Sequence, residues 1–303
     1  MTNPTISQSQ KRFEESLASL FCPSLDSKAS FLFLKSSTDV GVERNGGRNG
    51  ARLGPQSLLS SFKKLNINKT WSKEKIVEIE VASEQLERQD FRQAQTFESE
   101  NILKALKLQS HAKICHLGGG HDHIYPLLMS LGNLYKKIIV LNVDAHADTR
   151  SDADPHSGNP FRLFDSLHKI EFKLYQIGLH AFANSSSTLD PMAHSEMKII
   201  WRDEINEVKL QNLFKEIEQE ITEQTAVVFS LDADALAGQE VPGVSAVNPQ
   251  GLSVNELKII WKKYSELKFN HPFILGLYET NPVYDSVSML SMRVLSSFLY
   301  QTI

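Results

Sequence analysis

The sequence predicts an α/β fold, a mostly parallel sheet of about eight strands covered by helices on both faces. Three observations predict it. Short apolar runs, rich in β-branched or aromatic residues, recur along the 303 residues. Segments with helical spacing of apolar positions lie between them. Several runs end in Gly or Asp, as strands do where the chain turns out of a sheet.

In chain order the strands are "FLFLKS" (31–36), "IVEIEV" (76–81), "KICHLG" (113–118) and "IIVLNVD" (138–144), then "KLYQIG" (173–178), "KIIW" (198–201), "AVVFSLD" (226–232) and "FILGLYE" (273–279). Helices are predicted over 99–109, 210–222 and 253–267. The last opens with Ser253 and, three residues on, Glu256, the pattern of a capping box. No Pro/Gly/Ser-rich linker divides the chain and no repeat is visible. The expectation is one catalytic domain over 29–303, preceded by an N-terminal extension over 1–28 of unassigned role.

Composition excludes several classes. A net charge of −4 gives no basic field for nucleic acid or anionic lipid. No apolar run reaches the ~20 residues of a membrane helix. The polar opening "MTNPTISQSQKRFEES" lacks the apolar core of a signal peptide. Two cysteines, Cys22 and Cys115, cannot build a disulfide framework, and they read as reduced thiols of a cytoplasmic protein.

Chemistry collects at three predicted strand ends. "GGGHD" (118–122) brings His121, "LNVDAHADTR" (141–150) brings Asp144, His146 and Asp148, and "SLDAD" (230–234) brings Asp232 and Asp234. In open α/β sheets, ligands bind at the carboxyl ends of strands. If the extended backbone persists to Asp148, residues 144, 146 and 148 point to one side. Four carboxylates gathered in one small volume would repel one another and take up protons. Two divalent cations would neutralise them. Oxygen-rich ligation with some imidazole suits Mn²⁺, and a metal pair ~3.5–4 Å apart makes hydroxide available at neutral pH. Cys115 and His116 are adjacent on a strand, so they face opposite sides and cannot act as nucleophile and base.

At these residues the chain resembles the ureohydrolase, or arginase, family, with its GG-x-H, D-A-H-x-D and S-x-D-x-D segments. "GVERNGGRNGARLGP" (41–55) and "ETNP" (279–282) fit as well. The resemblance implies a three-layer α/β/α fold and a cofactor of two Mn²⁺. One ion would be held by His121, Asp144, Asp148 and Asp232, and the other by Asp144, His146, Asp232 and Asp234. Deacetylases of similar fold lack partners like His121 and Asp148. The triple glycine, "SGNPFR" (157–162) and "VPGVSAVNPQGLS" (241–253) are most similar to formimidoylglutamases, although these usually have Glu where Asp122 stands.

The implied reaction is hydrolysis of N-formimidoyl-L-glutamate to glutamate and formamide, a step of histidine degradation. In it Asp148 takes and relays a proton, and Glu279 pairs with the cationic nitrogen. His156, one residue out of register with the family's proton-shuttling His, is the further catalytic candidate. Ser157, Asn159 and above all Arg162 are the candidate substrate contacts, because a guanidinium grips a carboxylate with two bonds. The Gly/Arg-rich stretch reads as a loop organising the rim of the site. The alternative within the class is a guanidine hydrolase releasing urea, and outside it a non-catalytic binding protein on the same scaffold. The expected partner is a small-molecule substrate, with homo-oligomers as the family's tendency.

Overall fold

Strands that are apolar on both faces have to be buried on both faces, and the computed structural model of the chain, which describes residues 8–23 and 28–302, shows how. The strands are β1 Phe31–Ser36, β2 Ile76–Glu80, β3 Lys113–Gly118, β4 Lys137–Val143, β5 Glu171–Leu179, β6 Glu196–Trp201, β7 Thr225–Asp232 and β8 Ile274–Tyr278. They form one sheet in the order β2-β1-β3-β8-β7-β4-β5-β6, and every pairing is parallel.

Alternate residues of each strand feed two cores. Phe33, Leu117, Leu141, Phe229 and Leu277 face one side, while Leu34, Ile114, Val140 and Val228 face the other. The helices are α1 Gln8–Glu14, α2 Val40–Arg44, α3 Gly54–Lys63, α4 Glu84–Gln89, α5 Phe91–Leu108, α6 Ile124–Gly132, α7 Pro160–Leu167, α8 Glu207–Glu220, α9 Val254–Ser265 and α10 Leu290–Thr302. The first core is covered by α3, α8, α9 and α10, through residues such as Phe62, Phe214, Trp261 and Phe298. The second is covered by α5, α6 and α7, through Ile102, Leu128 and Phe164. Each fully buried Leu or Phe contributes roughly 1.5–3 kcal/mol. The result is the expected three-layer α/β/α arrangement.

Local signals set the helix ends. The Ser253–Glu256 capping box forms in both directions at the start of α9. At the start of α5, Asp90 accepts the Gln93 N–H, so that helix begins well before residue 99. Helix α6 has no predicted counterpart: "IYPLLMSLG" is a short, nearly continuous apolar run, buried along most of its length, and such a run does not distinguish a helix from a strand.

Residues 16–22, expected within the N-terminal extension, dock on the sheet edge. The Leu17 N–H bonds the Leu65 carbonyl, the Cys22 N–H bonds the Ile76 carbonyl, and Leu17 is fully buried. Residues 1–7 and 24–27 of that extension lie outside the described residues. No helix among the described residues is long and apolar enough to cross a membrane.

Candidate metal centre

The sheet order brings the unusual residues together. Strands β3, β8, β7 and β4 are consecutive neighbours, and their carboxyl ends carry His121, Glu279, Asp232 with Asp234, and the 144–148 segment. Leu117, Leu277, Leu231 and Val143 lie in one register row, so the four chain ends leave the sheet at one level.

His121, Asp144, Asp148 and Asp232 converge first. From His121 Nδ1 the carboxylate oxygens lie at 3.2 Å (Asp144), 2.9 Å (Asp148) and 3.2 Å (Asp232). Asp144, His146 and Asp234 form a second group, with His146 Nδ1 3.2 Å from Asp234 Oδ2 and 3.7 Å from Asp144 Oδ1. Asp144 belongs to both. Asp232 enters the first group through Oδ2, and its Oδ1 accepts the Asp234 N–H.

The backbone reaches this arrangement differently from the extended path expected. Strand β4 stops at Val143. The Asp144 carboxylate then accepts the His146 N–H, tightening a turn, and Asp148 sits at φ +51°. A left-handed residue reverses the local path, so the Asp148 carboxylate returns to the Asp144 side while His146 faces Asp234. Glu279 is also left-handed, at φ +61°, and its carboxylate accepts the His121 backbone N–H at 3.1 Å.

Charge is heavily concentrated here. In the protein without metal, burial and the Asp148 charge push Asp144 up to about 6. Burial and the neighbouring Asp234 push Glu279 up to about 8. The Asp234 charge raises His146 to about 11. Burial opposes a charge on His121, but the Asp144, Asp148 and Asp232 carboxylates gathered around Nδ1 outweigh it and hold the ring protonated well above its ordinary range.

The donor set fits a pair of divalent cations. His121 Nδ1 and Asp234 Oδ1 are buried without a hydrogen-bond partner, although both point among acids. His121 Nε2 meets Ser230 Oγ at 2.8 Å, the outer contact that fixes a ligating ring. Oxygen donors with a minority of imidazole nitrogen match the hard-to-borderline divalent metals.

A cavity of about 390 Å³ opens over this group. Asp148, Asp232, Asp234, Glu279 and His146 line its floor, and Asn45, Arg150, Ser157, Asn184, Ser185 and Thr188 line its walls. Ser157, a candidate substrate contact, lines this cavity. Two other expected substrate contacts are corrected by the structure. Arg162 points away and is consumed by main-chain carbonyls: Nε donates to Thr149, Nη1 to Pro191, and Nη2 to Asp190 and Thr188. Asn159 is buried and bonds the backbone of residues 152, 154 and 156, so it braces the loop and does not face the cavity.

His156 is also held within that loop. Its Nδ1 accepts the Gly158 N–H, its Nε2 meets Asp152, and it does not line the cavity, so the shuttle role is corrected too.

The residue that the sequence reading passed over is Arg150. Among the described residues it is the only Arg or Lys lining the cavity. Its Nη1 donates to Asn45 Oδ1 at 2.8 Å, and its Nε lies 3.2 Å from Asp152. Its place two residues after Asp148 was the available signal, since a neighbour of a ligand leaves the sheet at the same mouth. Two arginines of the 41–55 stretch are struts. Arg44 bonds the Pro155 carbonyl, and Arg48 bonds the carbonyls of Ser245 and Val244.

The arginase family model matches residues 38–302, nearly the whole chain. The chain belongs to the arginase family. Within that family, its similarity to formimidoylglutamases is broad. It is 27% identical over 270 residues to the formimidoylglutamase of Staphylococcus haemolyticus, covering 87% of this chain and 83% of that protein. The formimidoylglutamase structure from Bacillus subtilis superposes with a TM-score of 0.81 at 17% identity, covering 100% of this chain and 92% of that one. The Trypanosoma cruzi formiminoglutamase structure with Mn²⁺ gives 0.76 at 22% identity, covering 95% and 96%. These structures share the fold of this arginase-family chain, and all four central strand ends of that fold converge here on one acidic floor.

Proposed function

We propose that this arginase-family chain hydrolyses the C–N bond of N-formimidoyl-L-glutamate, giving glutamate and formamide, with two Mn²⁺ as cofactor. Support comes from the convergent ligand set, the formimidoylglutamase relatives and the wall of the cavity. His121, Asp144, Asp148 and Asp232 would hold one ion. Asp144, His146, Asp232 and Asp234 would hold the other, with Asp144 and Asp232 shared. When bound, the pair supplies hydroxide at neutral pH and polarises the carbon under attack.

The chain's own residues do the rest. Glu279, anchored by the His121 N–H, faces the cavity and orients the cationic amidine nitrogen. Asp148 borders the cavity as well as the ligand group, so its carboxylate can take a proton from the attacking water and pass it to the departing amine. That amine leaves as the amino group of glutamate. The observation that carries the substrate assignment is Arg150, a cation in the wall of an otherwise acidic cavity. A dicarboxylate needs such a partner, and agmatine, which has no carboxylate, does not. Ser157, Asn184, Ser185 and Thr188 offer further polar atoms to the carboxylates.

The test is a panel of formimidoylglutamate, arginine, agmatine and guanidinobutyrate with added Mn²⁺, following formamide and urea. Formamide release from formimidoylglutamate is the expected result. Urea release from a guanidine compound, with no turnover of formimidoylglutamate, would replace this reading with a guanidine hydrolase. Folded protein that binds no Mn²⁺ would leave only a binding scaffold.

A further inference from the structure

Behind His121, and outside the cavity lining, lies a buried polar chain that the hydrolytic reading leaves unused. Its members are Ser36, Thr38, Glu98, His116, His123 and Tyr278, each at most 1% exposed. Glu98 stands at the centre. Ser36 Oγ donates to Glu98 Oε1 at 2.6 Å, and His123 Nδ1 meets both Glu98 oxygens, at 2.9 and 3.1 Å.

The proton positions follow from the partners. Because the Ser36 hydroxyl spends its hydrogen on Glu98, its contact with His116 Nε2 at 2.8 Å is one in which the ring donates. His116 Nδ1 is then an acceptor, and the Tyr278 hydroxyl donates to it at 3.1 Å. His123 Nε2 faces the Thr38 carbonyl at 3.2 Å, which can only accept, so that nitrogen carries hydrogen. Its Nδ1 faces only the Glu98 carboxylate and carries hydrogen as well. The hydrogen bonds therefore run one way, from Tyr278 through His116 and Ser36 into Glu98, and from His123 into the same carboxylate.

Both ends of this chain grip the turn that carries His121. At one end the Tyr278 ring stacks on the His121 ring, with centroids 4.8 Å apart and planes 21° apart. At the other end His123 is two residues further along the same turn, tied to Thr38. The Thr38 carbonyl also packs against Gly119, where a Cβ would collide with it. None of the hydrogen bonds in the chain involves His146 or Asp234.

We infer that the Glu98-centred chain is a positioning device for His121, and that it sets the affinity of one metal position, the His121–Asp148 side, while leaving the His146–Asp234 side alone. Glu98, His116, His123 and Tyr278 are positioning residues and touch no substrate. The inference rests on the reading of His121 as a metal ligand. Outer partners of ligating histidines typically tune metal affinity 10- to 100-fold.

The test is Mn²⁺ titration of the metal-free full chain by calorimetry and electron paramagnetic resonance. The variants are Glu98→Gln and the milder Tyr278→Phe, which removes one hydroxyl and keeps the stacked ring. Each is also made in two single-position backgrounds, His146→Ala and His121→Ala. The expected result is a 10- to 100-fold weakening in the His146→Ala background and a change under threefold in the His121→Ala background. Thermal melts of the metal-free variants separate general destabilisation, which would affect both backgrounds alike. Equal weakening in the two backgrounds, or none with either variant, would overturn the inference while the unmutated chain still bound two ions. An unmutated chain that bound no Mn²⁺ would overturn the metal reading together with it.

Discussion

Loading the centre with metal should expel protons, and the number follows from the structure. Without metal, His121 is protonated well above its ordinary range and His146 up to about 11. Both rings must be neutral at the ligating nitrogen, so at pH 7 each gives up one proton when an ion arrives. Burial and the Asp234 charge also hold Asp232 well above the usual carboxylate range, which adds to the count. Asp144, at about 6, is already mostly ionised and adds little. The sign is fixed by these directions. Raised values mean that protons compete with metal at pH 7, so affinity rises with pH, and the competition from His146 ends only as pH passes about 11. Release of at least about two protons for the pair corresponds to a roughly 100-fold gain in overall affinity per pH unit. Calorimetric titration with Mn²⁺ in two buffers of different ionisation enthalpy measures the release, and repeating it from pH 6 to 8 measures the slope. Release of less than one proton, or a flat affinity across that range, would refute the ligand assignment of the two histidines.

Three further outcomes follow from side-chain partners. Arg150→Gln removes the guanidinium of the cavity wall, and an unpaired substrate carboxylate costs about 1.5–3 kcal/mol, so kcat/KM for formimidoylglutamate should fall roughly 10- to 150-fold, mostly in KM. Steady-state kinetics check it, and an unchanged KM would remove Arg150 from the substrate. Arg162→Ala should do the opposite, lowering denaturant stability by about 1–3 kcal/mol through four orphaned carbonyl contacts, with KM held within twofold. Gly119→Ala drives a methyl into the Thr38 carbonyl and should cost about 3 kcal/mol or more, seen as a lowered melting temperature and weakened Mn²⁺ binding in whatever fraction folds.

Much of the site could be read from the chain because its donors cluster locally. His121, the 144–148 segment and the 232–234 pair each occupy a few residues at the end of an apolar run, and the run itself marks a buried parallel strand. Substrate contacts were less legible. Arg150 and Arg162 both lie in or just after one segment, with similar chemistry, and only the path of the backbone separates them. The left-handed Asp148 and the buried Asn159 fold that segment so that Arg150 lines the cavity and Arg162 turns inward onto carbonyls. Local spacing carries no record of that reversal. His156 differed for the same reason, since its partners, Asp152 and the Gly158 N–H, are supplied by the loop's own closure.

By itself, then, the sequence determined the class of the fold and marked the acidic and imidazole side chains that the fold gathers into one cluster. Strand burial and donor chemistry are written in short segments, where period and residue type suffice. Tertiary structure alone decided that β3, β8, β7 and β4 stand side by side, that Glu279 joins His121 from 158 residues away, and that the Glu98 chain lies behind His121. The physical reason is range. A strand's neighbours are chosen by burying whole faces of the sheet at once, and the polar contacts that finish the site form only between segments which that burial has already brought together.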